Sequence, residues 1–207
     1  KTMSIEAEKA NVQIVAGDTK VVERGKCDKV FITTTGVGEF NQFYLNNKSR
    51  IKAGDMVLIN GFIGDHGMAV MSERENLHFS SEIQSDAACL NHLIEKIVQN
   101  YPVNFMRDVT RGGLATVMSE IATGYSVGVS LNEESIPVRE GVKGICEIFG
   151  YDPLYVANEG KVVMIIPSEY GKNVLEYMQS DEYGKNSAII GKIVEDHPGK
   201  VVLKTNI

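Results

Sequence analysis

From Met56 onward, short apolar runs alternate with segments in which apolar residues recur every three or four positions. Short runs are typical of buried strands, and the spacing of three or four is typical of a helix with one core-facing side. The runs predict strands at Met56–Phe62, Val103–Met106, Val127–Leu131, Val162–Ile166, Ala188–Val194 and Lys200–Leu203. The spacing predicts helices at Gly67–Arg74, Ala87–Gln99, Leu114–Ala122, Val138–Phe149 and from Ser168, as N-cap, to Met178. This alternation predicts an α/β or α+β domain with helices packed on a sheet.

The first part of the chain has a different pattern. Met3–Ala10 is predicted to be the end of a helix, and Val12–Val15 and Val30–Thr34 are predicted to be strands. Phe40–Ser49 is polar and mixed, as in a connector. We expect a domain boundary near Asn46–Lys52, with residues 1–47 in one domain and residues 48–207 in a second.

Length and composition narrow the class of protein. The chain has 207 residues, enough for one domain and part of another, with 43% apolar and 23% charged residues, as in soluble globular proteins. A net charge of −6 argues against a nucleic-acid partner held through its phosphates. No apolar run reaches the roughly 18–20 residues that a membrane span needs.

The cysteines indicate the compartment. Cys27, Cys89 and Cys146 have no CxxC spacing and form no zinc pattern with the four histidines. A sparse, odd number of cysteines fits a reducing environment, so we expect a cytoplasmic protein. The net charge and the lack of a long apolar run lead us to expect no nucleic-acid or membrane partner.

A first candidate site is Gly17-Asp18-Thr19-Lys20, between two apolar segments. These residues are ordinary in a tight turn. Alternatively, the Asp18 carboxylate could bind a hard cation and the Lys20 ammonium a phosphate.

A second candidate precedes the predicted helix at Leu114. Asp108 or Thr110 could cap that helix through a side-chain oxygen. Equally, Arg111-Gly112-Gly113 could bind an anion, because free N–H groups and the dipole at a helix N-terminus favour negative charge. The local sequence leaves both interpretations open.

Two loops complete the candidates. Gly61–Gly67 is rich in glycine but lacks the G-x-G-x-x-G spacing of dinucleotide-binding loops, so we expect Asp65 and His66 to have structural roles. Asn158-Glu159 precedes the strand at Val162. Glu159 is either a solvated turn residue or, if buried at the sheet edge, a general base.

Five collinear segments carry a family resemblance. They are GDTKVVERG (Gly17–Gly25), ITTTGVG (Ile32–Gly38), GDHGMAVMSERE (Gly64–Glu75), RDVTRGGLATVMSEIA (Arg107–Ala122) and DPLYVANEGKVV (Asp152–Val163). Together they resemble the HypE family of hydrogenase maturation proteins, within the PurM/AIR-synthase superfamily, over nearly the whole chain. The GDHG and DPLYVANEG segments favour this family over selenophosphate synthetase, AIR synthase and thiamine-phosphate kinase.

The resemblance implies a PurM-like α/β fold. Residues 1–47 would be the remainder of an N-terminal domain that binds ATP and builds a β-barrel in a homodimer. Residues 48–207 would be a complete C-terminal AIR-synthase-like domain. The reaction would be the ATP-dependent dehydration of a carboxamide, loaded by HypF onto a C-terminal cysteine, to a thiocyanate. The cyanide would then pass to iron on the HypC–HypD complex, for [NiFe]-hydrogenase.

The same resemblance assigns roles to residues. Lys20 and Glu159 would be catalytic, Lys20 toward phosphate and Glu159 as base for the amide proton. The expected Mg²⁺ ligands are Asp18 and Asp108. The expected ATP-binding residues are Asp18, Thr19, Lys20, Arg111, Gly112, Gly113 and Asn158.

Two departures limit the expected activity. The upstream residues of the family, with further acidic metal ligands, are absent, and the chain ends Thr205-Asn206-Ile207 without a cysteine. We therefore expect an inactive fragment of an active enzyme. The alternatives are another superfamily kinase or synthetase, or a non-catalytic binding module.

Overall fold

The computed structural model describes residues 1–27, 29–39, 50–75 and 83–206. The chain divides into two compact units, Lys1–Leu45 and Asn46–Ile207, which are considered separately below. The connector predicted at Phe40–Ser49 lies outside the described residues.

The first unit contains helix α1, Thr2–Lys9, which has no buried residue. The strands predicted at Val12–Val15 and Val30–Thr34 are wrong, since neither segment is paired with another strand among the described residues. Their apolar side chains are exposed, Val15 to 89%. A strand gains stability only from neighbours that pair with it and cover one face, and the described part of this unit supplies neither.

The second unit contains one six-stranded sheet, in the order β2-β4-β1-β5-β3-β6. The strands are β1 Met56–Ile59, β2 Phe105–Asp108, β3 Gly128–Asn132, β4 Val162–Ile166, β5 Ala188–Val194 and β6 Val201–Lys204. Neighbouring strands are antiparallel except β3 and β6, which are parallel. The fully buried β4 lies between β1 and β2, so the sheet is covered on both faces at that position.

Five α-helices of the described residues surround the sheet. They are α2 Asp65–Arg74, α3 Asn91–Asn100, α4 Gly113–Tyr125, α5 Glu140–Phe149 and α6 Gly171–Gln179. Short 3-10 helices lie at Glu133–Ser135, Pro153–Tyr155 and Glu182–Gly184. Among the described residues no helix is both long and apolar enough to traverse a lipid bilayer.

Successive side chains of β4 lie on opposite faces of the sheet, so this strand contributes to the apolar core on each face. Val163 and Ile165 join the core under α4, whereas Met164 and Ile166 join the core under α3 and α6 on the opposite face. A smaller cluster joins α2 to α5 and includes Val156, in the loop before β4. The sheet therefore holds that loop beside the starts of α2 and α4.

Most elements of the second unit were predicted, with errors at helix starts. The predicted bounds of β4 and β5 match the structure, whereas α3 begins at Asn91 rather than Ala87. The cap predicted at Ser168 is wrong, because α6 begins at Gly171 after Tyr170 and has no side-chain cap. The Tyr170 N–H instead donates to the Pro167 carbonyl at 2.9 Å, which makes residues 167–170 a turn.

Candidate functional site

Asn158 connects the loops of the second unit that carry the sequence motifs. Its side chain is buried, with 1% of the residue exposed. Its Oδ1 accepts the Gly64 N–H at 2.8 Å, and its Nδ2 donates to the carbonyls of Val109 at 2.9 Å and Val156 at 3.0 Å. The amide thereby ties the start of α2, the end of β2 and its own loop together. The assignment of Asn158 to ATP binding stays a prediction, and its observed contacts are structural.

Glu159 follows on the same loop, with its backbone fixed and its side chain accessible. Its N–H donates to Asp86 Oδ1 at 3.0 Å. Its carboxylate is 44% exposed and lies 3.7 Å, Oε1 to Nε2, from the ring of His66. The burial on which the general-base interpretation depended is therefore not found, and Glu159 has the exposure of a solvated turn residue. An exposed carboxylate on a fixed backbone can still reach a proton of a bound molecule. The catalytic role of Glu159 itself stays a prediction.

The segment at Ser85-Asp86 packs tightly against this loop. Lys161 Nζ lies 3.1 Å from Asp86 Oδ2, and both side chains are largely buried. A Cβ atom at Gly160 would lie 2.0 Å from the Asp86 carbonyl oxygen, so only glycine permits this approach. The segment before α3 therefore packs directly against the loop that carries Glu159.

The Arg111-Gly112-Gly113 motif begins α4. The N-cap is Gly112 and no side chain caps the helix, so a cap by Asp108 or Thr110 is wrong. Gly113 has a φ of +63°, and a Cβ there would lie 2.4 Å from the Leu154 carbonyl oxygen. Glycine is thus required where α4 meets the 3-10 helix Pro153–Tyr155. Arg111 is exposed beside this helix start, and its role in anion binding stays a prediction.

Two ion pairs line a cavity of about 940 Å³ next to the Glu159 loop. One is Lys161 with Asp86, and the other is Arg139 with Asp65, whose Nε and Oδ2 are 3.0 Å apart. Burial raises the pKa of Asp65, although Arg139 opposes the shift. Within the described ranges of the chain, Asp65 Oδ1 has no hydrogen-bond partner. The expectation of a structural Asp65 agrees with its position as the buried first residue of α2.

Of the remaining predicted residues, Asp18, Thr19 and Lys20 lie in the first unit and Asp108 lies in the second. Asp18, Thr19 and Lys20 are exposed, and the Thr19 N–H donates to Asp18 Oδ1 at 2.8 Å, as in a local turn. Asp108 is the exposed last residue of β2. In the part of the chain that the structure describes, no group of three or more His, Cys, Asp or Glu side chains could hold a metal ion. The metal role of Asp18 and Asp108 stays a prediction.

The structure thus brings together Asn158, Glu159 and the Asp108–Gly113 segment through Val109 and Gly113. It also adds Ser85, Asp86 and Lys161, which the sequence did not indicate, and it gives His66 a contact with Glu159. Asp86 and Glu159 are 73 positions apart, and no local pattern signals a contact of that range.

This mixed sheet, helix-covered on both faces with a loop cluster around Glu159, defines an AIR-synthase-like α/β domain of the PurM-like class. The chain belongs to the family of the AIR synthase related protein, C-terminal domain, whose family model matches residues 52–204.

Individual relatives are more specific. The chain is 46% identical to the protein named carbamoyl dehydratase HypE of Bradyrhizobium diazoefficiens, over 100% of this chain and 60% of that protein. A solved structure of the hydrogenase maturation protein HypE in complex with ATP is 41% identical, with a TM-score of 0.93, over 99% of this chain and 63% of that one. A solved HypE–HypF complex contains a chain that is 43% identical, with a TM-score of 0.85, over 99% of this chain and 67% of that one. The chain spans about 60% of the length of the curated relatives it matches.

Proposed function

We propose that the complete protein containing this chain is an ATP-dependent carbamoyl dehydratase of [NiFe]-hydrogenase maturation. The likeness to carbamoyl dehydratases over the full length of the chain supports this reaction class. The observation that carries the proposal is Glu159, whose accessible carboxylate stands on a loop fixed through Asn158 and Asp86. A carboxylate placed in this way can reach the amide proton of a bound substrate, which supports the proposed role.

The proposed reaction converts an S-carboxamide on cysteine into an S-thiocyanate. The carboxamide oxygen attacks the γ-phosphorus of ATP, ADP leaves, and the amide nitrogen loses one proton. Glu159 accepts the second N–H proton while the C–O bond breaks and phosphate departs with the bonding electron pair. The sum is carboxamide plus ATP giving thiocyanate, ADP, phosphate and a proton. Phosphorylation makes oxygen a good leaving group, so the protein contributes mainly position and charge.

Asp18, Thr19, Lys20 and Arg111–Gly113 are the proposed ATP-binding residues. Support comes from the ATP-bound relative and from the exposed Arg111 guanidinium beside the first turn of α4, where the helix dipole favours phosphate. Asp18 and Asp108 are the proposed Mg²⁺ ligands, but the described residues supply no cluster of three ligands, and no step is assigned to the metal.

The proposed partners follow from the same relatives. A HypF-type protein would load the carbamoyl group, as the solved HypE–HypF complex suggests. A HypC–HypD complex would accept the cyanide, and two copies of the complete protein would form a homodimer. The free cysteines of the described chain agree with a cytoplasmic setting.

The test of the proposal is mass spectrometry of the complete, carbamoylated gene product after addition of Mg-ATP. The unaltered protein should lose the mass of one water per carbamoyl group. Glu159→Gln should abolish this loss and still bind ATP in calorimetry, whereas Lys20→Ala should abolish ATP hydrolysis with the fold intact. Full thiocyanate formation by Glu159→Gln would place the base elsewhere, and unchanged ATP turnover by Lys20→Ala would remove that lysine from the site.

The alternative reactions of the superfamily predict a different product. A kinase or synthetase would consume ATP only with a small-molecule acceptor and would leave the carboxamide unchanged. A non-catalytic module would neither consume ATP nor alter the carboxamide.

A further inference from the structure

We propose that His66, held in place by Ser85, is a positioning residue for the Glu159 carboxylate. This inference rests on the proposed role of Glu159 as the base. The His66 Nδ1 lies 2.8 Å from Ser85 Oγ, and its Nε2 lies 3.7 Å from Glu159 Oε1. The ring therefore bridges a serine on the loop before α3 and the acid on the loop before β4.

The hydrogen bonds of Ser85 allow one direction of this bridge. Ser85 Oγ accepts the Ala87 N–H at 3.3 Å, and its own hydrogen can donate to Nδ1 of His66. A neutral ring that accepts at Nδ1 carries its proton on Nε2, the nitrogen that faces Glu159. That N–H then lies on the side of the ring nearest the carboxylate, with Nε2 at 3.7 Å from Oε1.

Glu159 needs such a contact, because its side chain is 44% exposed and long enough to adopt several rotamers. In the portion of the chain that the structure describes, His66 is the only side chain that pairs with this carboxylate. The ring is only 25% exposed, so its own position is better defined than that of the acid.

The same dipeptide fixes the backbone of Glu159. Asp86 accepts the Glu159 N–H at 3.0 Å, while the neighbouring Ser85 orients the ring that faces the side chain. Ser85-Asp86 therefore fixes the backbone from which the Glu159 side chain extends and, through His66, the direction of its carboxylate. A misplacement of about 1 Å in such a group can lower a rate about 100-fold.

The experiment measures single-turnover thiocyanate formation by the complete, carbamoylated protein with Mg-ATP. His66→Ala should lower the rate about 10- to 100-fold without changing KM for ATP. His66→Gln, whose amide can place a donor near the position of Nε2, should recover part of the rate.

Ser85→Ala should lower the rate less than His66→Ala, and it serves as the second variant if His66→Ala does not fold. His92→Gln, at an exposed histidine on α3, is the matched control and should leave the rate unchanged.

A double-mutant cycle separates positioning from a general structural effect. In the Glu159→Asp background, which keeps a carboxylate but draws it back by one methylene from the ring, His66→Ala should cause little further loss, because the contact is already broken. A further loss of the same size in that background would overturn the proposal. So would a rate for His66→Ala within twofold of the unaltered protein while Glu159→Gln is inactive. If Glu159→Gln itself keeps its full rate, the proposed base is wrong, and the positioning role is overturned with it.

Discussion

At the scale of single residues, Asn158 shows how a motif residue can serve a site without facing it. Its amide group makes hydrogen bonds to three backbone groups, at Gly64, Val109 and Val156. Both amide hydrogens and the amide oxygen are therefore in use. The residue fixes the loop on which Glu159 stands, so the proposed chemistry at Glu159 would depend on it indirectly.

We expect Asn158→Ala to destabilise the protein by about 2–4 kcal/mol, because it leaves buried backbone groups without partners. Asn158→Asp should be at least as damaging, since a carboxylate accepts the Gly64 N–H but cannot donate to two carbonyls. Urea unfolding followed by circular dichroism measures both. Asn100→Ala, at an exposed asparagine on α3, is the control and should change the free energy of unfolding by less than about 0.5 kcal/mol. A small effect of both Asn158 changes would mean that the loop is held without this amide.

Asp65 gives a prediction about pH. Burial raises its pKa in the folded protein above the ordinary value of 3.8. Between the ordinary and the raised value, the folded protein binds more protons than the unfolded chain, so the contribution of Asp65 to stability falls as pH rises. The difference in free energy of unfolding between the unaltered protein and Asp65→Asn should therefore shift against the unaltered protein from below pH 3.8 toward neutral pH. Urea titrations of both proteins across that range provide the test, and a constant or opposite difference would contradict it.

At the scale of elements, the start of α4 depends on glycine. Gly113→Ala should cost about 2 kcal/mol or more, because its φ is positive and the new Cβ would meet the carbonyl oxygens of Leu154 and Val156. Gly124→Ala lies in the same helix with open space around it and no positive φ. That change should stabilise the protein by about 0.5–1 kcal/mol. Thermal unfolding of the two variants compares them directly, and equal effects would show that the contact at Gly113 is not rigid.

Elements marked by their own apolar run were predicted well, whereas elements that depend on a particular partner were not. The sequence predicted β4 and β5 within their observed bounds, because continuous apolar runs between turn residues have few alternatives in a buried sheet. It placed the start of α6 at Ser168, where a Pro167–Tyr170 turn replaces the expected cap. The apolar runs at Val12–Val15 and Val30–Thr34 also predicted strands, yet no strand forms there among the described residues. Strand formation depends on a partner that the local pattern does not specify.

The candidate site was predictable only in part, for a related reason. Glu159, Asn158 and Arg111–Gly113 lie in motifs, and the structure brings their segments together. Ser85 and Asp86 carry no local signal, because their contacts with His66 and Glu159 join segments distant in sequence. A buried acid that pairs with a distant lysine, as Asp86 does with Lys161, is visible only in three dimensions.

At the scale of the whole molecule, the two units differ in how much they bury. No residue of the described part of the first unit is buried, whereas the second unit contains all three apolar clusters. A shortened chain of residues 50–207 should therefore unfold with the same urea midpoint as the full 207-residue chain. Fluorescence and circular dichroism should give coincident transitions. A clearly lower midpoint for the shortened chain would show that the first unit stabilises the second.

The exposed apolar side chains of the first unit lead to a prediction about association. Val15, Val21 and Val37 are between 88% and 99% exposed. Several exposed apolar side chains in one unit favour contact with another surface. The full chain should sediment as a concentration-dependent oligomer, whereas residues 50–207 should remain monomeric. Val15→Ser combined with Val21→Ser should weaken the association and leave the unfolding midpoint unchanged, because neither side chain is buried in the monomer. If the full chain stays monomeric at every concentration, these residues do not form the contact, and the proposed homodimer must depend on other parts of the complete protein.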